Sequence, residues 1–163
     1  MNTEDIGKAL VETRDFIPVE ATEFTERQQL TAKRYDFVGV RQYWGSMFAC
    51  GLVSVVEENE AKVGEIVDEF YLFSRSLRNY SGHLGTRLGA FGLLVIIVEG
   101  PASSRFRNAV AAQKRGSAWH GDYCLVWLLD RSSREVFRHR GFPLTMFPGK
   151  RFFKHVLSRE GAG

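Results

Sequence analysis

Nine consecutive residues, Ala90-Phe91-Gly92-Leu93-Leu94-Val95-Ile96-Ile97-Val98, carry no polar side chain. A strand with one wet face alternates apolar and polar residues; this one does not, so it belongs in the middle of a sheet covered on both sides. It is about half the ~20 residues needed to cross a bilayer. Gly100-Pro101 stops it and opens a basic helix over Ala102–Arg115, with Pro101 in its first turn and Gly116-Ser117 closing it. The loop Trp119-His120-Gly121-Asp122-Tyr123 then leads into a second apolar strand, Cys124–Asp130. Arg131-Ser132-Ser133-Arg134 has the length of a hairpin loop and joins it to a strand over Glu135–Arg140.

Upstream, Thr3–Thr13 reads as a short helix with Thr3 as N-cap and Ile6, Ala9, Leu10 and Thr13 on its apolar face. Phe16–Val19 is extended, and Pro18 restricts it to an edge or a strand start. Glu20–Lys33 fits either loop or helix. Tyr35–Trp44 and Met47–Val56 read as paired strands across a Gly45-Ser46 turn. Glu57–Asn79 carries Val63, Ile66, Val67, Phe70, Ser74 and Leu77 on one helical stripe and acids on the other side. The glycines at 82, 85, 89 and 92 mark a turning connection. They precede a strand instead of following one, which argues against a phosphate loop. Lys150–Leu157 is a short closing helix.

These elements give one α+β domain over residues 1–163, with a mixed five- or six-stranded sheet in the order α-β-β-β-α-β-α-β-β. Helix Glu57–Asn79 covers one face, and Ala102–Arg115 covers the same face or the other. A chain of 163 residues with 44% hydrophobic and 25% charged residues builds such a core without disulfides. The N-terminus, Met1-Asn2-Thr3-Glu4-Asp5, has neither the basic nor the apolar region of a secretory signal. Cys50 and Cys124 lie in strand-like surroundings and read as reduced thiols of a cytoplasmic protein. No membrane partner is expected, and oligomeric state is open.

Charge is distributed unevenly. Residues 1–100 hold ten Lys/Arg against fifteen Asp/Glu, and residues 101–163 hold twelve against four. Such a split marks either an anionic partner or two halves that attract each other. The candidate binding residues are Arg105, Arg107, Lys114, Arg115, Arg138 and Arg140, with Trp119 and His120. Basic groups on one face neutralise phosphates, and exposed rings stack on bases. The alternative is a solvated surface that compensates the acidic helix. His120, two residues from Asp122, suits acid–base work or a metal, whereas a capping Asp and a covering Trp explain the same letters. Cys50, Cys124, His83, His120, His139 and His155 lack the close ligand pairs of a zinc site. No metal or other cofactor is expected on these residues alone.

The succession of a helix, three strands, a helix and a buried strand over roughly residues 3–98 resembles the core of the PD-(D/E)xK restriction-endonuclease-like fold. That family carries an Asp at its second strand and a Glu-x-Lys on the third, which hold Mg²⁺ and activate water. Asp36 matches the first position. Met47–Val56 contains neither carboxylate nor lysine; Glu57 follows it, and Lys62 stands displaced in Glu60-Ala61-Lys62. The resemblance implies a degenerate or divergent nuclease with Mg²⁺ at Asp36 and Glu57. The residues themselves point first to a small non-catalytic binding or interaction protein. It would use a basic, aromatic C-terminal surface toward a protein or nucleic acid.

Overall fold

The apolar run lies inside β4 (Gly89–Val98), which is hydrogen-bonded to a strand on each side in a computed structural model. The structure describes residues 3–21, 24–43, 46–80, 89–117, 120–138 and 150–158. Both neighbours of β4 are parallel to it: β3 (Ser46–Val55) on one side and β6 (Asp122–Asp130) on the other. Leu52, Val95 and Trp127 share one register row. Beyond β3 the sheet continues antiparallel through β2 (Phe37–Tyr43) to the two-residue edge strand β1 (Ile17–Pro18). At the other end, two short strands divide the free edge of β6. β5 (Lys114–Ser117) pairs with Asp122–Leu125, and β7 (Glu135–Arg138) pairs with Trp127–Asp130. Among the described residues the sheet therefore has seven strands, one or two more than expected from sequence.

Side chains of β4 alternate between two cores, which is why the run has no polar position. Ala90, Leu94, Ile96 and Val98 join the core beneath α2 (Glu26–Ala32), α3 (Glu60–Ser76) and α4 (Ser104–Ala111). Leu93, Val95 and Ile97 join the core beneath α1 (Thr3–Arg14) and α5 (Lys150–Ser158). α3 and α4 thus cover the same face. Val63, Val67, Phe70, Ser74 and Leu77 of the anticipated stripe are buried there. Phe70 reaches the sheet because Gly51 leaves room: a Cβ at that position would stand 2.4 Å from the ring Cε2.

Several boundaries move, each for a local reason. Thr3 is the first residue of α1, and its hydroxyl bonds Ser54 at 2.9 Å. The ambiguous segment 20–33 contains α2, started by a capping box between Thr25 and Gln28. α3 begins at Glu60, three residues late, because Asn59 accepts from the Lys62 N–H at 3.0 Å and caps it. α4 is shorter than Ala102–Arg115: Ser103 caps its start, so Pro101 precedes the helix, and it ends at Ala111. Lys114 and Arg115 belong to β5, a strand that basic, low-hydrophobicity letters did not announce. Gly116 closes no helix; it sits in β5 at φ 71°, where a Cβ would meet the Asp122 carbonyl oxygen at 2.4 Å. The strand anticipated over Glu135–Arg140 is described to Arg138; Arg140 lies outside the described residues. The glycine-rich connection 81–88 is outside them too, whereas Gly89 and Gly92 are strand residues of β4.

Cys50 and Cys124 are free and buried on opposite faces of the sheet. Burial raises both thiols, Cys124 to about 12, so neither is poised as a nucleophile. Among the described residues, no helix is long and apolar enough to cross a membrane.

Candidate functional site

Asp36 immediately precedes β2. Its N–H donates to the Leu52 carbonyl at 2.9 Å, and its carboxylate accepts the Ser54 N–H at 2.6 Å. The side chain thereby extends the β2–β3 ladder by one bond. Glu57 and Lys62 line one cleft of about 510 Å³, together with Tyr35, Ser54 and the Arg34–Glu69 ion pair. The Tyr35 hydroxyl donates to the Ile66 carbonyl at 3.2 Å in the cleft wall. Asp36 does not line this cleft. It reaches the site only through the backbone of Ser54. The Glu60-Ala61-Lys62 letters lie in the first turn of α3, not on a strand. Among the described residues, no three His, Cys, Asp or Glu side chains are grouped to hold a metal ion.

The basic C-terminal third separates into two populations. Arg105 pairs with Glu60 at 2.7 Å, Arg115 with Asp68, and Arg131 with Glu99 at 2.6 Å. Arg107 lies 3.6 Å from Asp130, with its guanidinium 4.6 Å over the Phe137 ring. Two of these pairs tie α4 and β5 to the acidic side of α3, so part of the charge split between the two halves is internal. Arg138, Arg151 and Lys154 differ. All three are exposed, and none has an acidic partner among the described residues.

Geometry gathers these three. Val136 of β7 is buried in the α1/α5 core, and Arg138, two residues on, points to that same face. α5 packs against β7 through the same core, burying Phe152, Phe153 and Val156 and leaving Arg151 and Lys154 outward at (i, i+3) spacing. Arg14, at the end of α1, sits 5.5 Å from the Phe152 ring and extends the positive strip. Lys114 is exposed on the distant edge strand β5. The aromatic half of the sequence expectation fares differently. Phe106, Tyr123, Trp127, Phe152 and Phe153 are core residues, and Phe137 lies under Arg107. Trp119 is outside the described residues.

In the 119–123 loop the sequence offers His120 for chemistry and Asp122 as a cap. His120 is exposed, and its carbonyl accepts from Arg78 at 2.7 Å. Asp122 is the buried hub. One oxygen, Oδ2, accepts the Tyr71 hydroxyl at 3.2 Å and faces Arg75 at 3.3 Å and Arg78 at 3.9 Å. Burial of Tyr71 raises its phenol, and the charge of Asp122 and their hydrogen bond add to the rise.

At the other end of β6, Asp130 is fully buried. It accepts from Ser132 at 2.7 Å, from Ser133 N at 3.0 Å and from Ala102 N at 3.1 Å. Burial works to raise its pKa, and these hydrogen bonds outweigh that and hold it below the usual carboxylate range. An Asp at each end of a nine-residue apolar strand was the signal available in the sequence. No family model matches the chain, and neither a curated protein nor a solved structure matches it.

Proposed function

We propose that the protein is a non-catalytic binding protein that docks a polyanionic partner, nucleic acid foremost, on the basic face made by β7 and α5. One observation carries this reading: Arg138, Arg151 and Lys154 share a face and meet no acid among the described residues, whereas Arg105, Arg107, Arg115 and Arg131 each pair with an acid of the same chain. With its described rings in the core, the surface works through charge and reads no base. Its buried free thiols suit a reducing compartment such as the cytoplasm.

Fluorescence anisotropy with a random-sequence oligonucleotide tests it. Affinity is expected to fall linearly with salt on a log–log plot. The triple variant R138E/R151E/K154E is expected to weaken binding by roughly a hundredfold and to flatten the salt slope by about 2–3. Its melting curve should match wild type, because all three side chains are exposed. Salt-independent binding, or a triple variant that binds normally, removes the proposal.

A divergent metal-dependent nuclease is the second reading. It is supported by Glu57 and Lys62 lining one cleft beside Ser54, whose backbone holds Asp36. It requires DNA cleavage that depends on Mg²⁺ or Mn²⁺ and is abolished by Asp36→Ala and by Lys62→Ala. Intact plasmid after prolonged incubation with either metal ends it.

A further inference from the structure

We propose that α5 is a strap seated against its own charge, and that the polyanion taken up by the β7–α5 face holds it closed; the inference rests on that face being the polyanion site. Nine residues make too short a helix to stand alone in water. Lys150–Ser158 also contains no Asp or Glu, and its first turn carries Arg151 where the helix dipole favours an acid. Arg151 and Lys154, both exposed, repel each other at (i, i+3) spacing. The helix therefore owes its form to docking.

That docking is apolar. Phe153 is fully buried, edge-on to Trp127 with ring centroids 5.7 Å apart and to Phe152 at 5.1 Å. Phe152 and Val156 complete the contact with the core beneath α1 and α5. The same seating sets Arg151 and Lys154 beside two cations from elsewhere in the chain: Arg14, 5.5 Å over the Phe152 ring, and Arg138 on β7. Seated, the face gathers four cations; released, α5 takes two of them away. A polyanion therefore binds the seated state more tightly, and by linkage it stabilises the seat by the same factor. Phe153 touches no anion. It is a positioning residue, fixing where Arg151 and Lys154 stand.

The test is amide hydrogen exchange on the full chain, with β4 as the internal reference. Without ligand, raising NaCl from about 0.02 M to about 0.3 M should slow exchange in α5 at least roughly threefold, because salt screens its exposed cations. R151Q/K154Q should exchange slowly already at low salt, the opposite of what losing a structural contact does. A saturating random-sequence oligonucleotide at low salt should slow α5 exchange roughly tenfold. Phe153→Ala, which keeps every charge, should bind that oligonucleotide roughly tenfold more weakly, and Phe153→Leu should recover most of the loss. Exchange in α5 that ignores salt, R151Q/K154Q opening faster than wild type, or an oligonucleotide that binds without slowing α5 overturns the proposal. So does full affinity in Phe153→Ala with an unchanged melting curve; should that variant melt early, R151Q/K154Q decides. Wild type that binds no oligonucleotide removes the function proposed above, a result distinct from binding that leaves α5 exchange unchanged.

Discussion

Phe70→Ala is expected to lower the unfolding free energy by about 3–5 kcal/mol, the range for truncating a well-packed aromatic. Phe70 is fully buried at the middle of the α3 stripe. Its ring meets Tyr35 edge-on, with centroids 5.3 Å apart, and packs beside Phe73 at 6.0 Å. Beneath it lies Gly51, which has no side chain to swing into the space left behind. The cavity therefore collapses poorly, and the cost belongs at the upper end of that range. The measurement is a urea unfolding curve: the midpoint should fall while the slope stays constant. A loss under about 1 kcal/mol would mean that the ring does not bridge α3 and the sheet.

Asp130→Ala should be comparably severe, at about 3–5 kcal/mol, because it strands Arg107 and three hydrogen-bond donors around a buried site. The same residue gives a pH signature. Its folded pKa lies below the unfolded value of about 3.9, so the unfolded chain binds the proton first. The stabilisation is complete above that unfolded value and drains away as pH falls through the folded one. Glu58, held low by the hydroxyl and N–H of Ser103, acts in the same direction. Wild-type stability should therefore decline on acidification below about pH 4–5, and Asp130→Asn should show a shallower acid limb. An acid limb unchanged in Asp130→Asn would place the titrating group elsewhere.

Legibility in the sequence followed the range of the interaction that forms each element. β4 and β6 were readable because a doubly covered strand announces itself through an unbroken apolar run. α3 was readable through its period, but its start was not, since Asn59 and the acids before it carry no periodic signal. β5 stayed hidden: Lys114-Arg115-Gly116-Ser117 has no strand propensity to speak of, and only pairing with Asp122–Leu125 makes it extended. The candidate sites divide in the same way. Basic letters were visible, but Arg105 and Arg138 look alike in one dimension. Among the described residues only Arg105 meets an acid, Glu60, 45 residues away. Asp122 and Arg75 were likewise unconnected until α3 was laid across the start of β6.

By itself, then, the chain determined that this is an α+β domain with an apolar strand at its centre. Side-chain periodicity is a local property, and burial on both faces leaves a direct record in it. The folded arrangement alone decided which charges are paired with an acid and which stay exposed. Charges act through space, and the acid that neutralises an arginine is chosen by which helix the sheet sets beside it.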